Sequence, residues 1–392
     1  MSIFDAPYQD WLMQQQAAQR YRHLPADVAG DALNLASNDY LGLRRHPALI
    51  AAAQNYAERF GVGAGASRLL GDSAALYEPL ELALAQLKGV QAALIMNSGY
   101  QVNATILTAL LDRAAIGRDP VVLADRLIHA SLYTACRNAG VMPQRFHHND
   151  LNHLESLLTR HSHASSARVV LVESVYSMDG DCADLAGLIA LCQRFGAFLY
   201  VDEAHATGVF GHHGGGLASE FPGQIDLVMG TFGKALGSFG AYVAGSRVLI
   251  DYLINRCSGF IYSTALPPPV LGAIGAALSL LPTLDPARHQ LLQLASQVRD
   301  KLAARGYDTG QSTTQIVPLL VRGEEDALQL SHQLRQAGII APAIRPPTVP
   351  PNQSRLRLAL TAAHQPQDLD KLWQALDRLS PPRLSAAKEG MA

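Results

Sequence analysis

The chain has 392 residues, of which 48% are hydrophobic and 16% are charged, and its formal net charge at pH 7 is −2. A chain of this length can bury a large core and form two or more structural units. The near-neutral charge gives no general attraction to nucleic acid or to an anionic membrane, so neither is predicted as a partner. The sparsely charged surface favours burial of further area by oligomerisation.

The four cysteines are spread along the chain, at positions 136, 182, 192 and 257, with neither CxxC spacing nor clustering with histidine. We therefore expect reduced thiols in a cytoplasmic protein, with no disulfide framework and no metal site. The first residues lack the basic start and apolar centre of a signal peptide. Residues 265–281 are apolar but are shorter than the roughly 20 residues of a membrane span, so they predict a buried helix that begins with proline.

The first 30 or so residues predict a helix that leads into the core, and a glycine-rich segment follows at 61–71. Between about 75 and 245, helical patterns alternate with short apolar runs. These runs lie at 92–96, 121–124, 169–172, 198–201, 227–229 and 242–244. Strands that alternate with helices indicate βαβ units, and hence an α/β fold with a mostly parallel central sheet and helices on both faces.

The pattern changes after about residue 282 and predicts a smaller α+β domain. Its predicted elements are a helix at 286–305, a strand at 316–321, a helix through 334, a proline-rich loop at 341–351, a strand at 355–360 and a helix at 369–379. The chain is therefore divided into an N-terminal helical segment at 1–44, a large cofactor-binding α/β domain at 45–281 and a C-terminal domain at 282–392. The tail from residue 381 is polar and is predicted to be mobile.

Lys234 lies in the segment 231–237, TFGKALG, directly after an apolar run. A lysine between glycines at the end of a buried strand can lose its proton through desolvation and attack a carbonyl to form a Schiff base. Asp202 follows another apolar run and precedes Lys234 by 234 − 202 = 32 residues, enough for one crossover between neighbouring parallel strands. This pair indicates pyridoxal phosphate, whose ring nitrogen needs an acidic partner.

Other polar residues also follow predicted strands, and ligands of open α/β sheets gather at the carboxyl ends of strands. Ser98, Gly99 and Tyr100 begin a predicted helix, whose first backbone N–H groups would bind an anion. Taken alone, this segment is better explained as a simple helix N-cap by Ser98.

His129 follows the predicted strand at 121–124, and Glu173 and Ser177 follow the one at 169–172. The histidine could stack on a planar cofactor or act as an acid or base, and a structural histidine is an equally good interpretation. The segment with Glu173 and Ser177 also has the composition of an ordinary turn rich in Ser, Asp and Gly.

Residues 202–205 read DEAH, a sequence also found in nucleic-acid-stimulated helicases. A helicase needs a GxxxxGK[ST] phosphate loop upstream, and the sequence contains none. A carboxylate about 4 Å from a pyridinium would stabilise it by roughly 4 kcal/mol at an effective dielectric near 20. This corresponds to about three pKa units, so the sequence favours a cofactor site.

Two arginines in the segment 355–358, RLRL, are candidates for binding a substrate carboxylate. Alternation places Arg355 and Arg357 on one face of the predicted strand, so the pattern does not choose between them. A solvated strand edge is the alternative explanation.

Taken together, these segments resemble the α-oxoamine synthase family of pyridoxal-phosphate enzymes, in the fold-type I, aspartate aminotransferase-like class. The resemblance runs from residues 36–43, ASNDYLGL, to residues 360–364, LTAAH, and so covers more than four-fifths of the chain. It implies an acyltransferase that joins an amino acid to an acyl thioester, with loss of carbon dioxide and release of the thiol. It also implies a homodimer with its active site at the subunit interface.

The resemblance implies a role for each matched polar residue. Lys234 corresponds to the Schiff-base lysine, Asp202 to the partner of the pyridinium nitrogen, and His205 to the donor to the ring phenolate. His129 corresponds to the residue that stacks on the ring, and it is a candidate donor to the developing oxyanion. The other implied cofactor contacts are Ser98, Gly99, Tyr100, Ser177, Thr231 and, from the second subunit, Thr264.

On the substrate side, Arg357 corresponds to the arginine that binds the amino-acid carboxylate, and Asn38 and Glu173 line the same site. The segment 343–350, AIRPPTVP, is similar to that of the branch that joins L-alanine to a pimeloyl thioester of coenzyme A or of a carrier protein. In that branch Thr348 would contact the substrate.

Arg20 aligns loosely with a substrate-binding arginine of the family, and Arg22 offers an alternative register. Two other interpretations are a sister enzyme that uses glycine with a short acyl-CoA and a non-catalytic subunit of a heterodimeric synthase. The 343–350 segment weighs against the first, and the presence of both Lys234 and Asp202 argues against the second.

Overall fold

The computed structural model describes residues 2–24, 30–71, 74–163 and 165–379. The predicted mobile tail from residue 381 lies outside these ranges. The strands, in chain order, are β1 (Leu33–Asn34), β2 (Ala92–Met96), β3 (Asp119–Asp125), β4 (Gln144–Phe146), β5 (Ser166–Glu173), β6 (Phe198–Asp202), β7 (Leu227–Thr231), β8 (Ala241–Gly245), β9 (Ile316–Arg322), β10 (Ile339–Ile340), β11 (Ala343–Ile344) and β12 (Ser354–Ala359).

The helices alternate with these strands over most of the chain. They are α1 (Asp5–Ala17), α2 (Pro47–Phe60), α3 (Ala74–Lys88), α4 (Gly99–Leu110), α5 (Arg113–Ile116), α6 (Ala130–Asn138), α7 (Leu151–Arg160), α8 (Leu185–Phe195), α9 (Arg247–Arg256), α10 (Ser258–Ile261), α11 (Pro268–Leu280), α12 (Asp285–Ala303), α13 (Glu324–Gln336) and α14 (Asp370–Asp377). Short 3-10 turns lie at Leu43–Arg45, His212–Gly214, Leu217–Glu220, Leu281–Thr283 and Pro366–Leu369.

The central sheet has seven strands in the order β2-β8-β7-β6-β5-β3-β4. Strands β4, β3, β5, β6 and β7 pair in parallel, whereas β8 is antiparallel to both β2 and β7. The predicted mostly parallel sheet is therefore confirmed, as is the direct pairing of the strands that precede Asp202 and Lys234. Strand β4 was not predicted, because its three residues, Gln-Arg-Phe, do not form an apolar run.

Both faces of the central sheet are covered by helices. On β2, for example, Leu94 packs with α4, α6 and α9, whereas Ile95 faces the opposite side with α3 and α11. Helices α7 and α8 cover that second side over β5 and β6. Strands buried on both faces are apolar at nearly every position, which is why the sequence reveals them as continuous apolar runs.

Helix α1 does not lead into the core, so this part of the prediction is wrong. None of its residues is buried, and the side chain of Trp11 is 57% exposed. Its apolar residues are spread around the helix and form no continuous face that could pack. The chain enters the core only afterwards, where Leu35, Tyr40 and Leu43 are buried.

The C-terminal part contains an antiparallel sheet in the order β11-β12-β9. Because β12 is its central strand, Arg355 and Arg357 are both buried, and the solvated-edge interpretation is wrong. Strand β1 pairs with β10 and so joins the N-terminal segment to this part of the chain. The division at residues 44 and 281 remains a prediction.

Helix α11 is the predicted buried helix that begins with proline: Pro268 is in its first turn, and Leu271, Ile274 and Ala277 are buried. No single helix in the described ranges is long and apolar enough to cross a membrane. By length and composition, Pro268–Thr283 and Asp285–Ala303 would do so only as a pair, and they are bent by 78° where they meet.

A buried ion pair ties α3 to the segment after β6. Lys88 Nζ donates to Glu203 Oε2 at 2.6 Å, and both side chains are fully buried. The same ammonium donates to Thr207 Oγ1 at 3.1 Å and to the Gly215 carbonyl at 2.6 Å, while Glu203 Oε1 accepts the Ala218 N–H at 2.8 Å. The charges of Lys88 and Glu203 are therefore both paired, and these contacts fix the position of the 202–205 segment.

We expect Lys88→Met to lower the free energy of unfolding by about 3–5 kcal/mol, because it leaves the Glu203 carboxylate buried and unpaired. Denaturant unfolding would measure the change. Arg113→Met is the matched control, since the Arg113–Asp119 pair is 72% and 66% exposed and its loss should cost less than about 1 kcal/mol. Equal effects of the two substitutions would contradict the prediction.

Candidate active site

A cavity of about 210 Å³ lies at the carboxyl ends of β2, β3, β5, β6 and β7. The parallel strands bring these ends to one edge of the sheet, although the residues are far apart in sequence. The lining residues are Gly99, Tyr100, Asn103, His129, Ser131, Glu173, Asp202, Ala204, His205, Met229, Thr231 and Lys234. Most of the polar groups predicted from strand ends therefore lie in one cavity.

Lys234 follows β7 and its ammonium group lies in this cavity, where Nζ is 2.9 Å from His205 Nε2. Burial lowers the pKa of Lys234 to about 8, even though the nearby Asp202 and Glu173 carboxylates favour its charged form. A substantial fraction of the amine is therefore neutral near physiological pH. A neutral amine is the form that attacks a carbonyl carbon.

A chain of hydrogen bonds connects Lys234 to the predicted carboxylate-binding arginine. The hydroxyl of Tyr40 lies 2.6 Å from His205 Nδ1 and 3.2 Å from Arg357 Nη2. Arg357 also donates to Asn38 Oδ1 at 3.0 Å and to the Ser177 carbonyl at 2.5 Å. The two ends of the predicted amino-acid site are thus linked through one fully buried phenol, which sequence reasoning did not select.

The two candidate arginines of β12 have different partners. Arg355 donates to Asp179 Oδ1 at 2.5 Å and to the Met178 carbonyl at 3.4 Å, whereas Arg357 extends to Asn38, Tyr40 and the cavity side. Arg355 therefore holds the turn after β5, and only Arg357 is placed to bind a ligand beside Lys234. Alternation could not distinguish them, because both side chains point to the same face.

Asp202 and Glu173 lie side by side at the ends of β6 and β5, where they are paired in register. Asp202 accepts hydrogen bonds from the Ala204 N–H at 2.9 Å and from Asn103 Nδ2 at 2.8 Å. Burial, reinforced by the charge of Asp202, raises the pKa of Glu173 well above its usual range. Burial therefore favours the protonated form of Glu173, and Asp202 is the carboxylate that accepts the hydrogen bond from Asn103.

Asn103 and Ser131 line the cavity but were missed in the sequence. Both are uncharged residues within helices, α4 and α6, and neither belongs to a strand-end motif. Asn103 lies in a mostly apolar helix, so its polar amide was the only feature of the sequence that could have indicated a role in the site.

The start of α4 forms the candidate anion site. Ser98 caps the helix, with its Oγ accepting the Gln101 N–H at 3.3 Å, so the N-cap interpretation is confirmed. The first backbone N–H groups of any helix have no partner within it, and here they belong to residues at the cavity, Gly99 and Tyr100. A Cβ at Gly99 would lie 3.1 Å from Met229 Cε, so glycine keeps this end of the cavity open.

Three predicted cofactor contacts do not line this cavity, namely Ser98, Ser177 and Thr264. Thr264 is exposed, and its carbonyl accepts a hydrogen bond from Asn97 Nδ2 at 2.6 Å. Ser177 lines a neighbouring cavity instead. The contribution of Thr264 from a second subunit remains a prediction.

The neighbouring cavity has a volume of about 820 Å³ and shares His129 with the smaller one. Thr348 lines it, and Arg22 donates to Thr348 Oγ1 at 3.3 Å. Arg20 lines it as well but forms an ion pair with Glu324 at 2.9 Å. The structure thus places both N-terminal arginines at this cavity, and Arg22 is the one in contact with Thr348.

A half-buried histidine, His148, holds two of the site loops. His148 bridges Asp125, 3.0 Å from its Nδ1, and Asp181, 2.7 Å from its Nε2. Burial opposes the charge of the imidazolium, but the two carboxylates outweigh it and raise the pKa of His148 to about 9. Because Asp125 begins the loop with His129 and Asp181 ends the loop with Ser177, this ion triad positions both.

The imidazolium of His148 should make stability depend on pH. Its raised pKa means that its contribution is fully present below about pH 6.5 and is lost as the pH rises through about 9. We expect the stability difference between the wild type and His148→Gln to shrink by up to about 3 kcal/mol over this interval. Denaturant unfolding of both apoproteins would measure it.

The wild type and His148→Gln both contain Lys234, whose lowered pKa changes stability with pH in the opposite direction. This contribution cancels when the stabilities of the two proteins are compared at the same pH. A constant difference between the wild type and His148→Gln would show that the triad is not charged as described.

Residues 30–376 match the family described as aminotransferase class I and II. The chain belongs to this family. Two relatives, both described as 8-amino-7-oxononanoate synthase, come from Gluconacetobacter diazotrophicus and Geobacter sulfurreducens. The first is 54% identical over 347 residues, covering 88% of this chain and 87% of the relative, and the second is 47% identical over 349 residues, covering 88% of each.

Solved structures with this aminotransferase-family fold include a serine palmitoyltransferase from S. paucimobilis, which holds a pyridoxal-phosphate–myriocin aldimine. It has a TM-score of 0.86 and 28% identity, with 96% of each chain covered. The 8-amino-7-oxononanoate synthase from Francisella tularensis has a TM-score of 0.75 and 25% identity, with 89% of this chain and 97% of the other covered. The predicted fold class is therefore confirmed.

Proposed function

We propose that this protein is a pyridoxal-phosphate-dependent acyltransferase that condenses L-alanine with a pimeloyl thioester. The products are 8-amino-7-oxononanoate, carbon dioxide and the free thiol, a reaction of biotin biosynthesis. The observation that carries the proposal is that Lys234, with its pKa lowered to about 8, lies in one cavity with Asp202. The name shared by relatives that are about half identical to this chain supports the same reaction.

The residues of the smaller cavity fit pyridoxal phosphate. Glu173 Oε1 is buried there without a hydrogen-bond partner among the described residues, which leaves a polar atom for a ligand. Lys234 offers the amine, Asp202 the carboxylate for the ring nitrogen, and the N-terminus of α4 a site for the phosphate. The remaining contacts would come from His205, His129 and Thr231.

When bound, the cofactor withdraws electrons from the amino-acid Cα and so stabilises the negative charge that forms there. Lys234 would remove the Cα proton, because burial keeps part of its amine neutral. Asp202 would hold its negative charge opposite the ring nitrogen. His205 is buried and its pKa lies well below the usual range, because of burial and the charges of Lys234 and Arg357, so it acts as a neutral imidazole.

Arg357 would bind the amino-acid carboxylate, since its guanidinium is buried within the hydrogen-bond chain that leads to Lys234. A guanidinium binds a carboxylate through two parallel hydrogen bonds, which orients the substrate as well as holding it. The carboxylate would displace Asn38 or join it on Nη1. The Cα–H bond would then face the amine of Lys234.

The acyl thioester would occupy the larger cavity, which shares His129 with the smaller one. Four arginines line its outer part: Arg20, Arg22, Arg126 and Arg145. Their charge suits an anionic carrier, which could be coenzyme A or the phosphopantetheine of a carrier protein. His129 would lie next to the thioester carbonyl, where a donated hydrogen bond stabilises the developing oxyanion.

A homodimer in the cytoplasm completes the proposal. Large apolar side chains are exposed near the smaller cavity, with Tyr100 at 56%, Phe239 at 55% and Tyr262 at 84% exposure. A second copy of the chain would cover them and could bring its Thr264 to the cofactor. Light scattering after size-exclusion chromatography would measure the mass of the assembly, and a mass of 42.0 kDa would rule out the dimer.

The deciding experiment is thiol release from pimeloyl-CoA by the cofactor-loaded protein, with L-alanine and with glycine in parallel. We expect alanine-dependent release and none from Lys234→Ala, because that variant lacks the base. Release with glycine alone would move the protein to a sister activity. Silence with both amino acids would contradict pimeloyl-CoA as donor, and pimeloyl carrier protein would be assayed next.

We expect Tyr40→Phe to weaken the use of alanine, because it removes the hydroxyl between Arg357 and His205 without changing the shape of the ring. A buried group left without its partner costs about 1–3 kcal/mol, or roughly 5- to 150-fold in kcat/KM. The KM for the acyl thioester should stay unchanged. Tyr307→Phe, at a buried tyrosine outside both cavities, is the control, and equal kinetics of the two variants would contradict the prediction.

A further inference from the structure

Asn103 is a buried amide of α4 whose three hydrogen bonds meet at the cavity, and it is 2% exposed. Its Nδ2 lies 2.8 Å from Asp202 Oδ2 and 3.0 Å from Ser131 Oγ. Its Oδ1 accepts from the hydroxyl of Tyr200 at 2.6 Å. One side chain therefore contacts the predicted partner of the ring nitrogen and, on its other side, the helix that carries His129.

The orientation of this amide follows from the chemistry of its neighbours. A carboxylate only accepts hydrogen bonds, so the group that faces Asp202 must be the NH2 of Asn103. The opposite orientation would place two acceptor oxygens 2.8 Å apart and would leave the Tyr200 hydroxyl facing a donor. Both N–H bonds of Asn103 are then committed, one to Asp202 and one to Ser131.

The orientation of the Asn103 amide determines where the hydroxyl proton of Ser131 points. Since Ser131 Oγ accepts from Asn103, its own proton is free to be donated to His129 Nδ1, which lies 2.7 Å away. The backbone N–H of Ser131 also points to His129 Nδ1, at 3.3 Å. With two donors directed at it, Nδ1 is an acceptor, so the proton of the neutral imidazole is on Nε2.

We propose that Asn103 is a positioning residue that sets two groups at once: it orients the Asp202 carboxylate and, through Ser131, holds His129 as a neutral imidazole with its proton on Nε2. The roles of Asp202 and His129 in turnover rest on the proposed function, but the tautomer does not. An Nε2–H donor is the form that His129 needs to donate a hydrogen bond to an oxyanion.

The charged groups that face His129 are Asp202 and Lys234, and they act in opposite directions. Burial lowers the pKa of His129, the carboxylate raises it and the ammonium lowers it. The amide of Asn103 neutralises part of the carboxylate's field by donating to it. Without that amide, Asp202 would favour a second proton on His129, and Ser131 could turn its hydroxyl away from Nδ1.

The test is imidazole 15N NMR of the apoprotein labelled at histidine, with the His129 signals assigned by their loss in His129→Gln. In the wild type we expect an acceptor-type shift for Nδ1 and a protonated Nε2 at neutral pH. In Asn103→Leu, which matches the amide in size, we expect mixed tautomers or a titration at higher pH. A proton on Nδ1 in the wild type, or unchanged His129 signals in Asn103→Leu, would overturn the proposal.

Two further variants separate the branches of the network. Ser131→Ala should change the His129 signals while leaving the Asp202 contact intact, so it covers the case in which Asn103→Leu does not fold. Tyr200→Phe removes a buried hydrogen bond to Asn103 but keeps both donated bonds, and its His129 signals should match those of the wild type. If the His129 signals of Tyr200→Phe resembled those of Asn103→Leu, any disturbance near Asn103 would change them. The tautomer could then not be attributed to the hydrogen bonds that the Asn103 amide donates.

Turnover of the cofactor-loaded enzyme adds a second readout. We expect Asn103→Leu to lower kcat by about 10- to 100-fold, the effect of leaving a buried charged partner unsatisfied. Ser131→Ala should lower kcat less, since Asp202 stays in place. The NMR measurement needs neither cofactor nor substrate, so absence of alanine-dependent thiol release would contradict the proposed function and leave the tautomer assignment standing.

Discussion

Desolvation of charge at the carboxyl edge of the central sheet is the constraint on which the site depends. Lys234, Asp202 and Glu173 share one cavity, where burial makes a charged group costly unless a partner lies beside it. Burial raises the pKa of Glu173 and lowers the pKa of Lys234 to about 8, so it favours the neutral form of both groups. Asp202 accepts hydrogen bonds from Asn103 and from the Ala204 N–H.

Polar networks around the cavity fix the positions of the segments that line it. The Lys88–Glu203 pair holds the 202–205 segment in place, and the Arg355–Asp179 pair holds the turn after β5. The His148 triad joins the loops that follow β3 and β5. Each network lies outside the reacting groups, and each couples a site loop to a more rigid part of the fold.

His129 lines both cavities, so it marks the place where the two cavities meet. On one side lie the lysine and carboxylate expected to act on the amino acid, and on the other lies the larger, arginine-lined cavity expected to hold the thioester. A bond between an amino-acid Cα and an acyl carbon must form where the two cavities meet. The family includes enzymes of many reactions on one fold, and here the second cavity is what favours acyl transfer.

The sequence by itself determined six of the seven strands of the central sheet, because burial on both faces makes them continuous apolar runs, and it determined Lys234, Asp202 and His205, because each follows such a run in a distinctive motif. Only the tertiary structure could show that Arg355 pairs with Asp179 while Arg357 reaches Tyr40, select Tyr40, Asn103 and Ser131, and show that α1 buries nothing. Strand alternation and local motifs depend on neighbours along the chain. The hydrogen bonds of these other residues join segments up to 319 positions apart, so their partners exist only after the chain has folded.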